Sequence, residues 1–72
     1  MRIYFHLKGA HEVILDEEGV EVSGPQEARV QALLAIEELR DEKEGQGWSG
    51  WSLVAADDWG TVLFSLDLDS LF

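Results

Sequence analysis

The chain has no cysteine. That removes a disulfide framework, a thiolate zinc site and a cysteine nucleophile together. Cations are scarce: five Lys plus Arg stand against fifteen Asp plus Glu, a formal net charge of −10. None of them follows Lys43. Lys and Arg are what grip a phosphate backbone or an anionic lipid surface, so direct nucleic-acid binding and membrane-surface binding are not expected. No apolar run approaches the ~20 residues of a membrane span. The start, Met1 to Leu7, alternates instead of forming a long apolar stretch with a cleavage site, so no secretory leader is read there and a cytoplasmic location is expected. Proline occurs once, at Pro25.

What is present is enough apolar material to fold. The hydrophobic fraction is 46%, which argues against disorder despite the charge. The length, 72 residues, gives one domain spanning 1–72, with stability of roughly 4–11 kcal/mol. Small cores are often supplemented by association.

Residues 2–8 alternate, with Ile3, Phe5 and Leu7 on one side and Tyr4, His6 and Lys8 on the other. This is the period of a half-buried strand. Residues 12–16 predict a second strand, with Val13 and Leu15 on one face and Ile14 on the other. Asp16-Glu17-Glu18-Gly19 reads as a turn, and Val20-Glu21-Val22 as a brief extended piece. Ser23 with Gln26 fits a capping box, and Pro25 suits a first helical turn. A helix is predicted over 25–44. Its apolar face is Ala28, Ala32, Leu33, Ala35, Ile36 and Leu39; Val30 and Leu34 widen the apolar surface beyond one packing stripe. Gly45-Gln46-Gly47 ends it, and Trp48-Ser49-Gly50 reads as linker.

A further strand is predicted over 51–56, a turn over Asp57-Asp58-Trp59-Gly60, and a last strand over 61–66. In that strand Val62, Phe64 and Leu66 point inward and Thr61, Leu63 and Ser65 outward. The tail from Asp67 to Phe72 is expected as a helical turn or a segment laid on the core. The fold class is α+β, ordered β-β-α-β-β, with one long helix on a four-stranded, mostly antiparallel sheet. The two Asp-to-Gly segments, 16–19 and 57–60, echo each other through turn chemistry.

Candidate chemistry is thin. His6 lies on a strand face and His11 in a turn. The serines (Ser23, Ser49, Ser52, Ser65 and Ser70) fall in caps, linkers, strand faces and tail, so no nucleophile, base and acid converge. The acidic turns do not match a calcium loop. No catalytic residue, metal site or cofactor is expected, and the chain is not expected to be an enzyme.

One helix covers one sheet face. The other would carry Tyr4, His6, Ile14, Val54, Ala56 and Leu63 among small polar residues, which is too apolar for a purely solvated face. A homodimer or a protein partner on that face is the leading expectation, with Tyr4, His6, Ile14, Val54, Leu63 and Trp59 as candidate interface residues. Trp59 either folds over its own hairpin or offers contact surface. A second reading places a small-ligand site or an enzyme around His6 and Tyr4 at a dimer interface. A third makes the acidic helix, through Glu37, Glu38, Asp41 and Glu42, a decoy for a basic nucleic-acid-binding partner.

Tyr4-Phe5-His6-Leu7, Asp16-Glu17-Glu18-Gly19-Val20-Glu21, Glu27-Ala28-Arg29, Trp51-Ser52-Leu53-Val54 and Asp58-Trp59-Gly60 follow one another in an order and spacing that resemble a family of small uncharacterised bacterial proteins. Such proteins are found in soil and plant-associated alphaproteobacteria. The resemblance spans nearly the whole chain. The family is a domain of unknown function, so it assigns no site residue and implies only a bacterial, cytoplasmic setting. The Trp48 to Trp51 segment and the Ala55-Ala56 pair depart from the pattern.

Overall fold

The computed structural model describes residues 1–43 and 48–71, with the side chains of 41–43 and 71 left aside. Its elements are β1 (Arg2–Lys8), β2 (Val13–Ile14), β3 (Val20–Glu21), α1 (Pro25–Lys43), β4 (Ser52–Ala56), β5 (Val62–Asp67) and α2 (Leu68–Leu71). The α+β class and element order match the sequence reading, but the sheet has five strands instead of four. All pairings are antiparallel.

The fifth strand does not widen the sheet. β2 pairs with Leu7 and Lys8, while β3 pairs with Arg2 and Ile3. Hydrogen-bonding direction alternates along a strand, so the odd residues of β1 address one neighbour and the even residues the other. The Met1 and Val22 backbones exchange bonds at 2.8 Å in both directions, which aims the odd residues at β3. β2 and β3 are therefore two pieces of one edge, on the side of β1 away from β4. The sheet runs (β2, β3)–β1–β4–β5.

Helix α1 starts where Ala28 N–H donates to the Gly24 carbonyl at 3.1 Å. The residue that reaches back is Glu27, not Gln26: its carboxylate accepts from Ser23 N–H at 3.1 Å and from Ser23 Oγ at 3.3 Å. Ala28, Ala32 and Ile36 are buried against the sheet. Ile3, Leu53, Ala55 and the partly buried Phe5, Leu7, Phe64 and Leu66 meet them from below. Leu33 departs from the predicted helix face. It is 56% exposed and joins Val30 and Leu34 in a second apolar stripe.

Trp48 also departs from the reading. It is not linker but buried core: its Nε1–H donates to the Leu39 carbonyl at 3.2 Å, and its ring meets Trp51 edge-on at 5.4 Å. Trp51 in turn lies over Gly9, where an added Cβ would sit 2.9 Å from the indole. The last described element is α2, whose Leu68 is fully buried. The predicted Gly45-Gln46-Gly47 stop and Phe72 lie outside the described residues.

Candidate functional site

The face of the sheet away from α1 is the candidate surface. Directly opposed residues share a face, so the register assigns it. Tyr4 opposes Ala56, His6 opposes Val54, Lys8 opposes Ser52, and Val54 opposes Ser65. Tyr4, His6, Val54, Ala56, Ser52 and Ser65 therefore lie together, as the alternation predicts.

Two residues change sides. Ile14 opposes Leu7, a core residue, so it lies on the helix side of the sheet and not on the open face; Val13, opposite Lys8, takes that place. A two-residue strand has too few positions for alternation to fix its phase. Val62, predicted inward, opposes Ala56 and points outward at 56% exposure. The cause is a bulge: Phe64 opposes Ala55, Val62 opposes Ala56, and Leu63 is the extra residue between them. An inserted residue shifts the side-chain phase of everything before it.

Trp59 does not fold over its hairpin. It is 91% exposed. Asp57 builds the turn beneath it, its Oδ1 accepting from Trp59 N–H and Thr61 N–H, each at 2.9 Å. Gly60, at φ 81°, closes the turn. The Asp58 carboxylate, as an acceptor for the Tyr4 hydroxyl proton, together with burial and the Asp58 charge, holds the phenol above its ordinary pKa. Tyr4 lies parallel to His6, with centroids 6.3 Å apart.

His6 and Asp16 form the most ordered polar arrangement on this side. The gap between β2 and β3 sets Leu15 to Gly19 opposite Tyr4 to His6. That leaves the Phe5 N–H without a ladder partner. The Asp16 carboxylate supplies one: Oδ2 accepts from Phe5 N–H at 3.1 Å, and Oδ1 accepts from Glu18 N–H and Gly19 N–H, each at 3.1 Å. His6 Nδ1 accepts from the Asp16 N–H at 3.0 Å. Partial burial pushes the Asp16 carboxyl up, but the N–H donors of Gly19, Phe5 and Glu18, with a smaller electrostatic contribution from His6, outweigh it and hold it below the usual range. Gly19, at φ 72°, passes so close to Tyr4 that a Cβ would sit 2.9 Å from the ring. Both Asp-to-Gly turns thus use the same side-chain chemistry, which accounts for their sequence echo.

These contacts limit the chemistry. A carboxylate held by three N–H groups is a weak base. The imidazole nitrogen that faces it is already an acceptor. A phenol with a raised pKa keeps its proton. A groove of about 540 Å³ on this face is lined by Lys8, Gly9, Gly50, Ser52, Val54, Val62 and Ser65, and neither Tyr4 nor His6 lines it. Among the described residues, no group of three or more His, Asp or Glu side chains is placed to hold a metal ion. No described helix is long and apolar enough to cross a membrane. On the helix, Glu37 and Glu38 are exposed, but Arg40 shares a groove with Glu37, so that side is not uniformly acidic.

The fold and face define a small sheet-and-helix domain with one side of its sheet open. The chain matches the family model of DUF6894, a domain of unknown function, over residues 2–69, and belongs to that family. No curated protein and no solved structure matches it.

Proposed function

We propose that this chain is a non-enzymatic protein-interaction or regulatory module, acting in the cytoplasm, whose open sheet face docks another protein. The observation that carries the reading is the uncovered apolar surface itself. Val13 and Val62, each 56% exposed, and the half-buried Val54 share this face with the Tyr4–His6 pair, and the indole of Trp59 is exposed in the turn between β4 and β5. Interface cores are enriched in such aromatics and depleted of charge. The non-enzymatic part is supported by the use of His6 and Asp16 to complete the backbone ladder.

Affinity capture from the source cell tests it, comparing the native chain with a Trp59→Ala, Val62→Asp variant. Both positions are exposed, so circular dichroism should be unchanged. A protein retained by the native chain and lost from the variant is expected. Equal retention by both would overturn the reading.

A further inference from the structure

We infer that the groove between α1 and β5 binds a small monocarboxylic acid with an apolar tail, its carboxylate held by Arg29 and the Ser65 N–H.

The groove measures about 420 Å³ and is lined by Arg29, Leu33, Phe64, Ser65 and Leu66. It lies on the helix side of the sheet, apart from the open face that carries the docking reading. Phe64 opposes Ala55 and Leu66 opposes Leu53, both buried, so their side chains form its floor. Ser65 opposes Val54. Its side chain therefore points to the open face, and it meets the groove through its backbone.

That backbone has a donor to spare. Leu68 N–H donates to the Trp51 carbonyl at 2.9 Å. By alternation, the bonded pairs that precede it are Leu66 with Leu53 and Phe64 with Ala55. The bulge lies before Phe64 and leaves this register regular. The Ser65 N–H thus points away from β4, at the rim of the groove, where no described strand pairs with it.

Arg29 supplies the charge. Its guanidinium carbon stands 5.4 Å from the Phe64 ring centroid. Stacking occupies the planar face and leaves the N–H edge, a fork that matches a carboxylate. Fifteen acidic residues face five basic ones in this chain. Arg2 meets Glu21 at 3.6 Å, but among the described residues Arg29 has no ion pair. Neighbouring acids are engaged elsewhere. Asp67 opposes Ser52 on the open face and accepts from Asp69 N–H at 3.0 Å. Glu27 accepts from Ser23, and Glu37 lines a separate groove with Arg40. A cation, a free N–H and apolar walls are left together, and a carboxylate on an apolar tail satisfies all three.

Size favours a small molecule over a chain segment. The helical turn from Arg29 to Leu33 spans ~6 Å and three strand residues span ~10 Å. The volume falls in the range of small-ligand sites. A net charge of −10 repels anions at long range, so the affinity is modest.

An amide NMR titration of the full chain with sodium octanoate tests this. Saturable shifts at Leu33, Ser65 and Leu66 are expected, with a dissociation constant of about 1 mM or tighter. 1-Octanol keeps the tail without the charge, and acetate the charge without the tail; each should bind roughly tenfold more weakly or worse. Arg29→Gln should weaken octanoate by roughly tenfold and leave 1-octanol unchanged, a split that a merely structural role would not produce. Leu33→Asp should abolish octanoate binding; Leu33 is exposed, so circular dichroism should be unaltered. Val54→Glu, on the open face, should bind octanoate as the native chain does. Shifts that fail to saturate by about 20 mM octanoate overturn the inference. So does equal affinity for octanoate and 1-octanol, or an Arg29→Gln variant that binds octanoate as the native chain does. Saturable shifts at Val54 and Val62 without Leu33 also overturn it, since they place the acid on the open face.

Discussion

The two edges of this sheet are built in opposite ways. One edge is split into two strands of two residues each and is plugged at the gap by Asp16. Acidic residues crowd it: Glu12, Glu17, Glu18 and Glu21 are exposed, and Arg2 reaches along it to the Glu18 carbonyl at 2.7 Å. The other edge, β5, is a single six-residue strand with a bulge at Leu63; it is uncharged over 62–66, ends on Asp67 and is flanked by a groove lined by Arg29, Leu33, Phe64, Ser65 and Leu66. An edge strand is a template for another chain unless something blunts it. The contrast is one of means: the first edge is blunted by a gap and a crowd of acidic side chains, the second by a bulge at Leu63 and a terminal Asp67.

Three experiments break or sharpen that contrast, beginning with the largest expected effect. Gly19→Ala should destabilise the fold by about 2–3 kcal/mol, read by urea denaturation. The left-handed backbone alone costs roughly 1–2 kcal/mol for a non-glycine residue, and the added Cβ meets the Tyr4 ring at 2.9 Å and the Ile3 carbonyl at 3.0 Å. If the Asp16 plug is structural, this closely packed turn should not tolerate the methyl.

Asp16→Asn should cost about 1–2 kcal/mol, because an amide NH₂ replaces one acceptor oxygen and faces an N–H. The pH dependence follows from the sign of the shift. The folded pKa of Asp16 lies below its value of 3.8 in the unfolded chain. Its contribution is therefore fully present above about pH 4–5 and is lost as pH falls through the folded pKa. Acid titration should show this component in the native chain and not in Asp16→Asn. An unchanged acid limb in the variant would mean that the plug adds nothing.

The smallest effect belongs to the other edge. Leu63→Thr, in the β5 bulge, should change monomer stability by no more than about 0.5–1 kcal/mol, since the residue is partly exposed and β-branched side chains suit strands. A larger loss would show that β5 is fastened into the monomer as firmly as the acidic edge.

How much of this was legible depends on the length of each pattern. The seven-residue alternation of β1 placed Tyr4 and His6 correctly, and the helix was legible from its start to its buried Ala28, Ala32 and Ile36. Ile14 was misplaced because two residues cannot state a phase. Val62 was misplaced because a bulge leaves no periodic trace. Trp48 read as linker because a single aromatic after a glycine-rich stretch has no pattern that marks burial. Asp16 was visible as a turn residue, but its bond to Phe5 N–H depends on where β2 stops and β3 starts.

The sequence by itself determined the α+β class, the element order, the turn chemistry of both Asp-to-Gly segments and the absence of cysteine chemistry. Each of these follows from local periodicity or composition, which the chain carries without reference to its neighbours. The tertiary structure alone decided which strands pair, which edge is closed by Asp16, which edge is left open, and that Trp59 faces solvent while Trp48 does not. Pairing register and burial are properties of two segments at once, fixed only when distant residues meet.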